Sequence, residues 1–402
     1  MNHGAKWHSW RAFHLPDTYE GLGPELKAVH ERAVVEDKSP MNYYSIAGKD
    51  ASRFLDYLIT RDLTRVEIGE AIYAPWLNDD GKVVIDLPVF REGPSSFVTM
   101  GGIVEDWLAQ HADGFDVQIV DWSDVRMVMP IHGPASRQIV ETVTDEDWSD
   151  VRFMHGRATT ISSRPVWVWR AGYNSQLGFE VHLDRKHAAE VFDAVWEAGR
   201  DLGLMPIGPY AVMVARTEAG IIVPGIDYTR AGSDLNIAAY AVLDDEGPVS
   251  PFEIGFGRFV DLDKPAPFIG REAILAEREA GGPVRTLVGL DVEWRDVVAL
   301  FERDAQAPEV TRRFDYRRHK LLVDGVVVGK ATSLCWSPTI RRQIALAQVS
   351  RDHSAVGNQL TLEWREHGAR LVPERLDDVV SGTIRATVTE LPFLPKHKKL
   401  RS

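Results

Sequence analysis

The sequence predicts an α+β protein of three parts, two α+β lobes and then a small β-barrel domain. Three observations predict it. Residues 41–120 mix strand and helix patterns, and residues 125–202 repeat them in similar order. After Gly281-Gly282-Pro283 the texture changes to short β-branched runs between turn residues. The expected organisation is a first region at 1–282, with lobes at 40–122 and 123–282, and a C-terminal domain at 283–402.

Residues 1–40 read as mixed and loop-rich. Residues 41–47 read as a strand, and Asp50 as the N-cap of a helix with the apolar stripe Phe54, Leu55, Leu58, Ile59. Residues 71–77 and 83–90 are β-branched or apolar and flank Asn78-Asp79-Asp80-Gly81, which is turn chemistry, so they form a hairpin. A strand at 96–100, a helix at 104–110 and a strand at 117–120 complete the first lobe. The second has strands at 125–131, 158–162, 166–170 and 179–183, with helices at 136–143 and 186–202. Residues 211–219 and 271–280 read as helices, 220–228 as extended, and 231–248 as a long loop. Short strands follow at 286–292, 320–323, 326–331, 344–349 and 360–364, with Asp324-Gly325 as a hairpin turn.

Composition narrows the function. The 402 residues are 44% apolar with twelve Trp, enough for a large core. The net charge of −13 and the lack of a basic face argue against nucleic acid. One cysteine, Cys335, excludes a disulfide framework and a thiolate metal site, and no metal-binding histidine pair is present. No stretch has the length of a signal peptide core or a membrane span, so a soluble cytoplasmic protein with no metal is expected.

One carboxylate stands out. Asp86 lies within the apolar strand 83–90 and shares a face with Val84 and Pro88. A carboxylate among apolar neighbours is costly unless something satisfies it. Two readings stay open: an edge-strand aspartate bonded to backbone or solvent, which Pro88 supports, and a buried acid aimed at a ligand. No nucleophile elbow or phosphate loop is present.

Several stretches taken in order carry more. They are Asn78-x-x-Gly81 with Asp86, Gly172-Tyr173-x-x-x-x-Gly178-Phe179-Glu180, and Arg216-x-Glu218-Ala219-Gly220. Pro251-Phe252-Glu253-x-Gly255, Phe268-Ile269-Gly270-Arg271-Glu272-Ala273, Thr332-Ser333…Ser337-Pro338-Thr339 and Ile344-Ala345-Leu346-Ala347 follow. Together they resemble the glycine-cleavage T-protein (aminomethyltransferase) superfamily of tetrahydrofolate-dependent enzymes across residues 40–395. The resemblance implies a three-lobed disc around a folate channel, with two ferredoxin-like α+β lobes and a C-terminal β-barrel.

It also implies roles. The family's aspartate beside the reacting one-carbon centre lands on Asp86, and its pterin-clamping glutamate on Glu180. The 2-amino group and N3–H of a pterin are adjacent donors that match two carboxylate oxygens. From its strand alone Glu180, with His182 and Asp184, would be an exposed residue. Tyr73, Trp76 and Tyr173 could line the pterin, although aromatic residues at such positions are as often core. Lys396 or Lys398 could meet the folate tail, and Arg230 or Arg258 a substrate carboxylate, with a structural ion pair as the alternative for each arginine.

Departures from the family pattern guide the choice of activity. The first of two adjacent aspartates is Ile85, the Thr-Gly-Glu of the glycine-rich loop becomes Asn174-Ser175-Gln176, and an expected arginine is Val212. These features are more similar to the tetrahydrofolate-dependent demethylases of dimethylsulfoniopropionate and of aromatic ethers. The expected activity is therefore transfer of a methyl group from a small-molecule donor, with an O-methyl aromatic acid favoured, to give 5-methyltetrahydrofolate. Breaking an ether also needs an acid for the departing oxygen, and Tyr228 is the candidate, packing at a strand end being its alternative. A glycine-cleavage aminomethyltransferase with a lipoylated partner, and a non-catalytic folate-binding protein, are the other readings. The expected partners include no nucleic acid and no membrane, and a homodimer is the assembly to test.

Overall fold

The computed structural model describes residues 7–232, 247–305, 308, 314–366 and 380–394. The chain opens with a hairpin of β1 (Trp7–Trp10) and β2 (Phe13–Pro16), then α1 (Leu22–Glu31) and β3 (Ala33–Val35). The sequence suggested loop here. Strands of three or four residues, and a helix without a capping side chain, leave little periodicity to read.

The first lobe runs β4 (Asn42–Ala47), α2 (Ala51–Leu58), β5 (Ala71–Leu77), β6 (Val83–Gly93), β7 (Ser96–Gly101), α3 (Glu105–Gln110) and β8 (Gln118–Asp121). Its sheet has the order β5-β6-β7-β4-β8, antiparallel throughout. Phe54, Leu55 and Leu58 of α2 bury against Ile72, Ala74, Trp76, Ile85 and Leu87. Full burial of such side chains is worth about 1.5–3 kcal/mol each, so Ile85, Leu87 and Val89 of β6 are committed to this core. The even-numbered residues, Asp86 and Phe90 among them, face the opposite way.

The turn before β6 meets a second sequence motif. Gly81 has φ +71°, and a Cβ on Gly270, itself at φ +81°, would stand 2.4 Å from the Asn78 carbonyl oxygen. Glycine is thus needed at 270 for the turn to seat there.

The second lobe comprises β9 (Arg126–His132), α4 (Ser136–Thr144), β10 (His155–Ile161), β11 (Arg164–Arg170), β12 (Gly178–Asp184), α5 (Ala188–Arg200), β13 (Leu204–Pro206) and α6 (Pro209–Glu218). Its sheet order is β10-β11-β12-β9-β3-β13, so β3 from the N-terminal segment is built into it. Residues of α4 and α5 cover one face. The other meets the first lobe in a cluster of Tyr43, Phe90, Val98, Met100, Val128 and Trp169. The two sheets therefore face each other across Phe90.

After α7 (Arg271–Glu279), the barrel contains β14 (Arg285–Val292), α8 (Trp294–Arg303), β15 (His319–Val323), β16 (Val326–Ser337), β17 (Arg342–Ser350), β18 (Gln359–Glu366) and β19 (Val380–Thr389). It closes in the order β14-β17-β16-β15-β18-β19. Asp324 (φ +49°) and Gly325 (φ +79°) make the expected two-residue turn. α8 was not expected among the short strands, and it packs Val297, Leu300 and Phe301 onto the barrel core. β16 runs past its expected end at 331 through an irregularity between Thr332 and Cys335.

Candidate active site

Asp86 is not on an edge strand, because β6 lies between β5 and β7. Yet β6 pairs with β7 only from Val89 onward. Pro88, which lacks an N–H, sits just before that pairing starts, and its carbonyl accepts from Thr99 Oγ1 at 2.7 Å. The unpaired flank ahead of it is held by other groups. Val83 N–H donates to the Val249 carbonyl at 2.8 Å, Ala231 N–H to Val83 at 2.8 Å, and Arg230 Nε to Val84 at 2.6 Å.

The Asp86 side chain is buried, at 6% exposure. Tyr73, on the neighbouring strand and the same face, donates its hydroxyl to Oδ2, while Tyr228 donates its hydroxyl to Oδ1. Burial pushes the Asp86 carboxyl up to about 6, against the tyrosine hydroxyls and the Arg230 charge, which favour its ionised form. Burial, and then Asp86 itself, drive both tyrosines well above the usual phenol range. Both are therefore protonated donors, and each has one O–H already aimed at the carboxylate.

Tyr228 is set by a second buried group. Asp227 accepts from Arg216 at 2.6 Å, from the Val223 N–H at 2.7 Å and from Thr332 and Ser333 of β16 at 2.6 and 2.5 Å. Arg318, ahead of β15, donates to Thr229 Oγ1 at 2.8 Å. The barrel thus grips the loop that inserts Tyr228. Glu218, two residues along from Arg216, is bonded to Ser337 of the barrel at 2.5 Å and to His30 at 2.9 Å.

Other expected residues fall in different places. Trp76 does not join this site. It alternates with Tyr73 and Pro75 along β5, is fully buried, and packs under α2 in the first-lobe core. Arg230, expected at a substrate carboxylate, is buried at 9% exposure with its Nε on the Val84 carbonyl. Arg258 is exposed, with its guanidinium 4.6 Å above the Phe259 ring, and Phe259 meets Tyr73 edge-on at 5.3 Å. Lys396 and Lys398 lie outside the described residues.

Glu180 is buried at 6% exposure, not exposed as its strand pattern alone suggests. The second lobe's sheet turns this face toward the first lobe, a contact that periodicity within one strand does not record. Neighbouring His182 accepts from the Tyr43 hydroxyl at 2.9 Å and packs against Phe90 at 4.9 Å. Its Nε2 stands 3.7 Å from Glu180. Phe90 and Asp86 share a face of β6, and Phe90 packs on Trp169 and His182, which flank Glu180 on the facing sheet.

Glu180 belongs to a polar pocket. Burial pushes His132 down to about 4, against the pull of Glu180. Asn174 donates to His132 Nδ1 at 3.1 Å, which leaves Nε2 as the protonated ring nitrogen. A Cβ on Gly178 would lie 2.3 Å from the His132 ring, so glycine is needed there. Tyr173 meets His132 edge-on at 4.9 Å. Sequence reasoning missed Glu36, Lys38 and His132. Single polar residues at or just beyond strand ends carry no spacing signal.

The pocket can be tested for the pterin that the resemblance implies. His132 Nε2, Tyr173 Oη, His182 Nε2 and Glu36 Oε2 are buried without a hydrogen-bond partner among the described residues. Buried polar groups are normally satisfied, so this surface has the donors and acceptors to hold a polar heterocycle. The chemistry fits.

Residues 1–264 match the family described as the GCVT N-terminal domain, and residues 309–394 match the glycine cleavage T-protein C-terminal barrel domain. The chain belongs to the T-protein family. Among its relatives is the aminomethyltransferase of Clostridium botulinum (strain Kyoto / Type A2), 28% identical over 376 residues, 92% of each chain. That of Streptomyces coelicolor is 30% identical over 363 residues, 89% of this chain and 88% of its own. The crystal structure of aminomethyltransferase T from Bartonella henselae has the same fold, at a TM-score of 0.77 and 22% identity, covering 97% of this chain and 94% of that one.

Two departures from the T-protein pattern now have locations. Ile85 points into the core under α2, away from the face that carries Asp86, so no group is lost from the Asp86 side. Val212 of α6 is buried among Leu26, Val29 and Ile207, where an arginine would need a partner.

Proposed function

We propose that the protein is a tetrahydrofolate-dependent one-carbon transferase of the aminomethyltransferase type. The observation that carries the reading is Asp86, buried and held on both oxygens by Tyr73 and Tyr228, with buried Glu180 on the sheet that packs against β6 at Phe90. A carboxylate so fixed suits the cationic character that develops when an amine-borne carbon passes to a folate nitrogen. Near-full-length relatives named aminomethyltransferase favour this donor class. The side-chain direction of Ile85 removes one objection to it.

A second reading is demethylation of a small molecule, including the aromatic ether expected from the sequence. Val212 favours it, since an apolar contact replaces an arginine, although Tyr228 would have to turn its one O–H away from Asp86 to serve the departing oxygen.

One experiment separates the two. The purified protein is given tetrahydrofolate and either an aminomethylated lipoyl carrier protein or a panel of methoxylated aromatic acids, dimethylsulfoniopropionate and N-methyl amino acids. An aminomethyl carbon is at the oxidation level of formaldehyde, so its transfer leaves a methylene group on the folate and releases ammonia. Demethylation leaves a methyl group. Methylene product from the carrier supports the first reading, and 5-methyltetrahydrofolate from the panel replaces it with the second.

A further inference from the structure

The Glu180 pocket contains an ion pair that the reading above does not use. Glu36 follows β3 and Lys38 stands two residues later. Lys38 Nζ lies 2.7 Å from Glu36 Oε1, and the two side chains are 11% and 6% exposed. The ammonium is bracketed by aromatic faces, 4.8 Å from the Tyr173 ring centroid and 5.4 Å from that of Trp10. Burying such a pair is expensive unless its remaining donors and acceptors are used.

They are not all used. Glu36 Oε2 is buried with no partner among the described residues, and so are His132 Nε2 and Tyr173 Oη beside it. Glu36 is close enough to Glu180 to feel its charge. The pocket therefore presents two carboxylates and one ammonium, flanked by His132 and His182, both of which burial holds toward the neutral form. Its charge excess is negative, which suits a ligand edge rich in N–H donors.

We propose that Glu36 and Lys38 are ligand-binding residues of the Glu180 pocket, reading a donor and an acceptor on the ring edge next to the one that Glu180 clamps. Glu36 Oε2 accepts from an N–H of the heterocycle, and Lys38 donates to a ring nitrogen or carbonyl oxygen. Tyr173, which carries Lys38 on its face, packs the ring. The inference rests on the folate reading and extends it, because it names residues that set which reduced heterocycle is accepted.

The test is equilibrium binding of tetrahydrofolate to the full chain, by calorimetry, for the wild type, Glu36→Gln, Lys38→Met and Glu180→Ala. Thermal unfolding of each variant is followed in parallel. A charge-assisted hydrogen bond lost from a buried site should weaken binding about 10- to 100-fold in each of the first two variants. Glu36→Gln should also reduce the preference for tetrahydrofolate over its 8-deaza analogue, which keeps the 2-amino group and N3–H that Glu180 clamps but lacks the N–H of the neighbouring edge, a ratio that a merely structural role would not move. Unchanged affinity and preference in folded Glu36→Gln and Lys38→Met, with Glu180→Ala still impaired, would overturn this inference alone. No binding by the wild type would overturn the folate reading and this inference with it.

Discussion

The two buried carboxylates Asp86 and Glu180 are unlike each other. Asp86 has a hydroxyl on each oxygen and a backbone held around it, whereas Glu180 sits among polar atoms that still want partners. The first arrangement is complete within the protein. The second leaves buried donors and acceptors that a bound group can use. On the proposed reading, reaction geometry and ligand recognition fall on different walls, β6 and β12, one preorganised and the other unsatisfied.

The largest expected effect separates the walls directly. Asp86→Asn should lower turnover about 10²- to 10⁴-fold while folate binding changes little. Glu180→Ala should do the reverse, abolishing measurable folate binding. Titration with tetrahydrofolate beside single-turnover assays would break the comparison if both variants failed in the same step.

A smaller effect sharpens it through pH. The Asp86 carboxyl, raised to about 6, should give turnover an acid limb near that pH. Tyr73 and Tyr228 donate to the charged form, so removing either hydroxyl should move the limb upward. Tyr228→Phe and Tyr73→Phe pH–rate profiles with unshifted limbs would show that Asp86 is not the group titrating. Glu36 gives a companion test by stability. Its folded-state value of about 7 lies above the unfolded 4.5, so it weakens the fold as pH rises between the two, and unfolding of Glu36→Gln should lose that part of the slope.

The smallest expected effect concerns Trp76. Its place in the first-lobe core predicts that Trp76→Phe costs about 1–3 kcal/mol of stability and leaves folate affinity unchanged. A loss of affinity at unchanged stability would return Trp76 to the ligand.

The sequence made parts of this legible for identifiable reasons. Asp86 could be singled out because one carboxylate interrupts an apolar run, and the 324–325 turn because Asp-Gly demands positive φ. Glu180 was placed only by resemblance, since the first lobe, not its own strand, makes that face interior. Glu36 and Lys38 escaped notice because a three-residue strand offers no period to set them against. α8 was hidden by its position among strand-like runs, although Val297, Leu300 and Phe301 have helical spacing.

The grip of β16 on Asp227 has a consequence for inheritance and engineering. Ser333, which bonds both Asp227 and Arg216, holds a left-handed backbone at φ +53°, so its geometry belongs to the barrel strand that carries it. A barrel transplanted from another protein would bring its own version of that strand and release the tyrosine beside Asp86. Lobes and barrel are therefore expected to be exchanged as a unit, and changes far along the chain to be felt at the acid.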